Sequence, residues 1–238
     1  MRLDVVTLFP EMFSGYLGQS LLKKAIDVGL IDVQMHDLRD WSRQKHHRVD
    51  DRPFGGGPGM ILMVEPVVDC VESIRKLNAN AKTLLLSPQG KRLDQPMVES
   101  LSENDHYIVL CGRYEGFDQR VIDVLQPQEI SIGDFILNGG EVAAMVLIDS
   151  LIRMVPGVLG DENSCIEDSF SSGNRMLEFP QYTRPREFRG FSVPEILLSG
   201  NHEKIRQWRK EQSIEKTREQ RPDLLPVDNS ADLKELDS

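Results

Sequence analysis

The chain alternates short apolar runs with stretches in which apolar residues recur at helical spacing. Leu3–Phe9, rich in β-branched and apolar residues and stopped by Pro10, predicts a buried first strand. From Glu11 to Val28, Met12, Tyr16, Leu17, Leu21, Leu22, Ala25 and Ile26 keep helical spacing, with Gly29 as C-cap, which predicts one helix. Ile31–His36 follows as a short strand. Met60–Leu77 reads as helix, with Val64, Val67, Val68, Val71 and Ile74 on one stripe. Lys82–Leu86, His106–Leu110 and Glu129–Ile132 are strand-like; Gln95–Leu101 and Asp118–Leu125 between them are helical, and Glu141–Met154 is a strong helix. Strand–helix–strand order repeated in this way predicts an α/β domain with a mostly parallel sheet.

Two segments break the pattern. Arg39–Gly59 is too polar and too rich in glycine for a regular element, and a long irregular segment in a compact domain is usually functional or disordered. It is expected to be a flexible, basic active-site loop. His46, His47, Asp50 and Asp51 fall within it, but adjacent side chains diverge and no i, i+4 histidine pair exists, so a tight metal site is disfavoured. Its glycines do not match the dinucleotide fingerprint, since Met60 follows Gly59 where that spacing needs glycine. Pro156–Phe179, rich in Ser, Gly and acid, has the composition of a linker. Beyond it, His202–Arg218 predicts a helix that displays Lys204, Arg206, Arg209, Lys210, Lys216 and Arg218 around Ile205, Trp208 and Ile214. A solvated helix docked by its Trp208 face and an RNA-backbone site fit that pattern equally well.

Three glycine-containing turns stand at the carboxyl ends of consecutive strands: Ser87–Gly90, Cys111–Asp118 and Ser131–Glu141. Such turns present backbone N–H and C=O groups to a ligand, and in an open α/β sheet ligands bind beyond the carboxyl ends of the strands. A shared pocket for one small molecule follows.

Charge leaves the partner open. The 238 residues carry a formal net charge of −10, which argues against nucleic acid. Yet between Arg175 and Arg221 there are eleven Lys or Arg against seven Glu, and Arg39–Arg52 holds five against three Asp. Local basic surface within a Debye length of about 10 Å sets phosphate attraction, not the whole-chain total. The tail after Arg221 is acidic and expected to fray. No apolar run approaches the roughly 20 residues that span a bilayer, and the N-terminus enters a strand without a secretory pattern. Cys70, Cys111 and Cys165 form neither a disulfide framework nor a zinc motif, which points to a reducing, cytoplasmic setting.

Taken together, Cys111–Asp118 and Ser131–Glu141 resemble the bacterial tRNA (guanine-N1)-methyltransferases, a family within the SPOUT class. The likeness runs motif after motif from residue 1 to about residue 225. It implies an α/β fold with a SPOUT-type parallel sheet whose C-terminal part forms a deep trefoil knot, a topology that general rules make very improbable. A small helical C-terminal domain is implied as well. The resemblance divides the chain into a cofactor domain over 1–160, a linker over 161–175 and a tRNA-binding domain over 176–238. It implies S-adenosylmethionine as cofactor, held by Leu86, Ser87, Pro88, Gln89, Gly90, Gly112, Tyr114, Ile132, Gly133, Asp134, Phe135, Ile136, Leu137, Gly139 and Gly140. Loosely held Mg²⁺, and a homodimer whose subunits share active sites, are implied too. One departure is visible: Ala143 stands where the family pattern has proline, which should loosen the helix start slightly.

The chemistry of such an enzyme needs two groups. Guanine N1 carries a proton at neutral pH, so a general base must take it, and the charge that then spreads to O6 calls for a positive donor. Glu115, Arg153, Glu167 and Asp168 are all of suitable type, and residue type alone does not choose among them. The resemblance does. Ile166–Phe170 matches the family's linker motif, which implies Asp168 as base; Arg153 matches the arginine assigned to the guanine, and Glu115 a carboxylate that supports guanosine recognition. Lys204, Arg206 and Arg209 are then expected to meet the tRNA, with the guanosine just 3′ of the anticodon (position 37) as target. Two other readings are a non-catalytic RNA-binding protein with a relic pocket and a ribose 2′-O-methyltransferase. The intact Asp168, Arg153 and glycine turns speak against the first; the Asp168 motif and the basic helix speak against the second.

Overall fold

A computed structural model describes residues 1–159, 168–171 and 175–225. The chain divides into two compact units, Met1–Gly160 and Asp161–Ser238. In the first, the order is β1 (Arg2–Thr7), α1 (Ser14–Leu17), α2 (Ser20–Asp27), β2 (Asp32–Asp37), β3 (Asp50–Asp51), β4 (Ile61–Leu62), α3 (Val64–Leu77), β5 (Lys82–Arg92), α4 (Gln95–Ser102), β6 (His106–Cys111), α5 (Gln119–Leu125), β7 (Gln128–Ser131) and α6 (Gly140–Ile152). Five strands form one sheet in the order β2-β1-β6-β5-β7, and every neighbouring pair is parallel.

The apolar runs are continuous because both faces of the sheet are covered. Leu3 and Val5 of β1, Leu84 and Leu86 of β5, and Tyr107, Val109 and Cys111 of β6 pack on one side with α2, α4 and α6. Val6, Leu85, Ile108 and Leu110 point the other way, toward α3 and α5. Asp4 is the exception within β1. Fully buried, it accepts from Arg2 Nε at 2.8 Å and meets His36 Nε2 at 2.7 Å and His106 Nε2 at 2.6 Å.

Several boundaries differ from the sequence reading. The single helix expected over Glu11–Val28 is a 3₁₀ turn at Pro10–Phe13 followed by α1 and α2, broken at Gly18 and at Ser20, whose φ is 53°. Its C-cap is Val28 rather than Gly29, and Gly29 follows at φ 76° in the left-handed conformation that ends the helix. Met60–Leu77 does not begin as helix: Ile61–Leu62 pairs with Asp50–Asp51, so the Arg39–Gly59 segment contains a short antiparallel pair as well as 3₁₀ turns at Leu38–Trp41 and Lys45–His47. β5 continues through the Ser87–Gly90 turn, with a register shift against β7 between Leu86 and Lys91. A Cβ at Gly90 would stand 2.4 Å from the backbone nitrogen of Ile130, so only glycine lets the two strands approach there.

In the second unit a hairpin pairs Glu187–Phe188 with Phe191–Ser192, ahead of helices at Glu195–Leu198 and His202–Gln220. The long helix docks more through hydroxyls than through an apolar stripe. Thr217 Oγ1 accepts from the Leu177 N–H at 3.0 Å, Ser213 Oγ donates to the Leu177 carbonyl, and Lys216 Nζ donates to the Glu178 carbonyl at 3.2 Å. Trp208 adds a tilted contact with Tyr182, ring centroids 6.4 Å apart. Among the described residues no helix is long and apolar enough to cross a membrane. Most of the expected linker and the end of the acidic tail lie outside those residues.

Candidate active site

The carboxyl ends of β5, β6 and β7 converge on a cavity of about 290 Å³, near the lower end of the roughly 300–1,000 Å³ usual for small-molecule sites. Leu86, Ser87 and Pro88 enter it from β5; Gly112, Tyr114 and Glu115 enter from the turn after β6. Ile132 and Gly133, then Phe135, Ile136 and Leu137, and finally Gly139 and Gly140 line it from the loop after β7. The three turns singled out in the sequence therefore do share one pocket. Gln89, Gly90 and Asp134 do not line it; Gly90 has the packing role described above. Arg113, Gly116, Ile130, Ser131, Asn138 and Ala143 line it and were not anticipated. Arg113 and Gly116 lie in the Cys111–Asp118 turn, and Ser131 and Asn138 in the Ser131–Glu141 turn, which is the signal the sequence offers for them; Ile130 and Ala143 reach the cavity through tertiary packing.

Local geometry explains why these residue types occupy the turns. A Cβ at Gly140 would lie 2.8 Å from Cys111 Cα, and this close approach lets the Gly140 N–H donate to the Gly112 carbonyl at 2.8 Å. Tyr114 adopts φ 58°, a left-handed conformation that an aromatic residue adopts only where its surroundings impose it. The Glu115 N–H donates to the Met60 carbonyl at 3.0 Å, and the Leu62 N–H donates to the Gly116 carbonyl at 2.9 Å. The end of the glycine-rich loop is thus zipped onto the turn after β6, within reach of the cavity wall. Asp118 caps α5 by accepting from the Arg120 N–H at 2.9 Å, and the Arg120 side chain holds its carboxyl below the ordinary range.

Charge is sparse in the pocket. Arg113 is the one cation and Glu115 the one anion among its lining residues. Behind the wall, Arg113 Nε meets the buried Glu141 Oε2 at 2.9 Å. Burial, reinforced by Glu141, pushes the Cys111 thiol well above its usual value, so it is no nucleophile. Among the described residues no group of three or more His, Cys, Asp or Glu is placed to hold a metal ion.

Arg153 stands at the C-cap of α6 and is exposed. In the other unit Asp168 is half-buried at the start of a tight turn; its carbonyl accepts from the Ser171 N–H at 3.2 Å. Phe170 in that turn has φ 67°, and the Ser169 hydroxyl accepts from the Glu178 N–H at 2.9 Å. Glu167 lies outside the described residues. Lys204 and Arg206 are exposed on the long helix, whereas the half-buried Arg209 holds its guanidinium 4.6 Å above the Phe179 ring.

Comparison with known proteins gives this geometry a context. A family model described as "tRNA (Guanine-1)-methyltransferase TrmD" matches residues 1–227. A protein of Rhodopirellula baltica, named tRNA (guanine-N(1)-)-methyltransferase, is 63% identical over 228 residues, covering 95% of this chain and 94% of its own. Proteins of the same name from Geobacillus kaustophilus and Carboxydothermus hydrogenoformans are 52% and 53% identical; they cover 94% and 95% of this chain, and 91% and 88% of their own lengths. With the match running over both units and through every turn of the pocket, the chain belongs to the tRNA (guanine-1)-methyltransferase family TrmD.

Proposed function

We propose that the protein is an S-adenosylmethionine-dependent tRNA (guanine-N1)-methyltransferase acting on the guanosine immediately 3′ of the anticodon, position 37. The observation that carries this reading is the cavity where three backbone turns converge in a chain of this family. Its walls fit the cofactor: turn N–H and C=O groups can read an adenine and an amino-acid end, and Leu86, Ile132 and Leu137 offer apolar surface to a nucleoside.

When bound, S-adenosylmethionine supplies a methyl group on a sulfonium, already a good leaving group. The chain's own work is alignment and proton removal. Asp168 takes the N1 proton, and Arg153 stabilises the charge that develops on O6. With the proton removed, N1 would take the methyl group as the sulfur leaves as a neutral thioether, giving 1-methylguanosine. Glu115 orients the guanosine from the cavity rim. Mg²⁺, where the reaction uses it, would be held loosely by one or two carboxylates and water.

In the same reading, residues 1–160 form the cofactor domain with its trefoil knot, 161–175 the linker, and 176–238 the tRNA-binding domain. Two chains form a homodimer in a reducing cytoplasm, each linker serving the pocket of the other subunit. The test is incubation of the full chain with unmodified tRNA and methyl-labelled cofactor, followed by nucleoside analysis. Label in 1-methylguanosine at position 37 is expected. Label on a ribose, or tRNA binding without any label, would overturn the reading.

A further inference from the structure

Glu141 lies in the first turn of α6, is 1% exposed, and does not itself line the cavity. Thr7 Oγ1, at the end of β1, donates to Glu141 Oε1 at 2.8 Å and accepts from the Phe9 N–H at 3.0 Å. On the other side Arg113 Nε approaches Oε2 at 2.9 Å. Arg113 in turn lies 4.4 Å over the Phe9 ring and donates through Nη1 to the Asn138 carbonyl at 3.3 Å. It also forms an antiparallel bridge with Gly139. Two segments far away in sequence, the end of β1 and the turn after β6, thus meet on one carboxylate, and Arg113 ties the second of them to the loop after β7 that leads into Glu141.

A first-turn acid is favoured by the helix dipole. That preference is met by an exposed side chain and requires neither burial nor partners from two other segments. Burial of a carboxylate is costly unless its charge is compensated; here Thr7 hydrogen-bonds Oε1, while Oε2 and Arg113 Nε face each other as an ion pair without hydrogen-bond geometry, so the arrangement is sensitive to the loss of either partner. The two groups that Glu141 holds most directly, Arg113 and through it Asn138, are both cavity wall.

We propose that Glu141 is a positioning residue for the cofactor pocket, fixing Arg113 and locking the turn after β6 to the loop after β7 at the spacing the ligand needs. This rests on the reading that the cavity takes S-adenosylmethionine. Glu141 touches no reacting atom; it acts through Arg113 and the two backbone turns.

Four variants of the full chain test it, with cofactor and tRNA dissociation constants and Tm measured for each. Glu141→Gln keeps the shape and removes the charge facing Arg113; Thr7→Val removes the donor at nearly constant volume, and Thr7→Ser restores it. Asp4→Asn removes a comparably buried carboxylate away from the cavity and reports general destabilisation. Glu141→Gln and Thr7→Val are expected to raise the cofactor Kd by about tenfold, the usual scale for one lost partner of a buried charged group. KM for the cofactor should rise with it while kcat at saturation holds, tRNA affinity stays, and Thr7→Ser behaves as wild type. Asp4→Asn should lower Tm and leave the cofactor Kd unchanged. Should Glu141→Gln fail to fold, Thr7→Val carries the test. An unchanged Kd in Thr7→Val, or a Kd that merely follows Tm in all variants, overturns the role of Glu141 while wild-type binding upholds the pocket. A wild-type chain that binds no cofactor removes the reading of the pocket and this inference with it.

Discussion

Asp4 and His106 meet at 2.6 Å inside the sheet although 102 positions separate them. The contact exists because β1 and β6 are neighbours, with Arg2 opposite His106 in the ladder. Burial alone would push the Asp4 carboxyl up; hydrogen bonds with His36, Arg2 and His106 outweigh it and hold the group well below the usual carboxylate range. The sign of the linkage follows. A depressed folded-state value gives stability that is fully present above the unfolded value of about 3.9 and is lost as pH falls through the folded value. Asp4→Asn should therefore cost about 3 kcal/mol at neutral pH, as expected when one partner of a buried ionic cluster goes, and should flatten the acid limb of the stability curve. Urea unfolding from pH 7 down to pH 2 measures both, since the loss begins only below about 3.9. An acid limb as steep as that of wild type would refute the assignment.

Asp168→Asn preserves shape but cannot accept a proton. Methyl transfer should fall by roughly 10² to 10⁴, the scale of a lost general base, with cofactor affinity little changed. Glu167→Gln should be much milder. Single-turnover rates at saturating tRNA make the comparison, and equal losses from the two changes would sink the role given to Asp168.

The basic helix separates into two kinds of cation. Lys204 and Arg206 are exposed, and replacing both with alanine should weaken tRNA binding and lower its salt slope by about one per lost phosphate contact. Arg209 stacks on Phe179, so Arg209→Ala should instead act on stability, by about 0.5–1 kcal/mol. Filter binding across a salt series, with thermal unfolding alongside, distinguishes them. A salt slope that drops for Arg209→Ala and stays for the exposed pair would reverse the assignment.

The parallel sheet was legible in the sequence because both its faces are buried, which makes β1, β5 and β6 continuous apolar runs. The pocket was legible for a related reason: the runs of β5, β6 and β7 each lead into a glycine-containing turn, where backbone must stay open or close together. What periodicity could not reveal are features fixed by tertiary contact. Glu141 reads as an ordinary first-turn acid until Thr7, 134 positions away, is placed beside it. Ser213 and Thr217 look like solvent-facing residues of a charged helix, yet they are its buried face. The hairpin at Glu187–Ser192 has strands of two residues, too short for any alternation to register. The break between α1 and α2 depends on a left-handed Ser20, which helical spacing of the flanking apolar residues conceals.

Assembly can be tested through the same two sites. Asp168 and the glycine turns belong to different units of the chain, so a twofold dimer with shared sites would pair the base of one subunit with the pocket of the other. Gly133 has φ 151°, and a Cβ there would meet the Phe135 ring at 2.4 Å, so Gly133→Trp should close the cofactor turn outright. Consider a heterodimer of one Asp168→Asn chain and one Gly133→Trp chain. With shared sites, one pocket inherits both lesions and the other neither, so each heterodimer should carry about half the wild-type activity. With sites built within single chains, each pocket keeps one lesion and the mixture stays inactive. The measurement is methyl transfer after subunit exchange between the two inactive homodimers, with heterodimer formation followed by differently tagged chains. Inactivity despite proven exchange and folded subunits would reject shared sites, and would leave the methyltransferase reading intact.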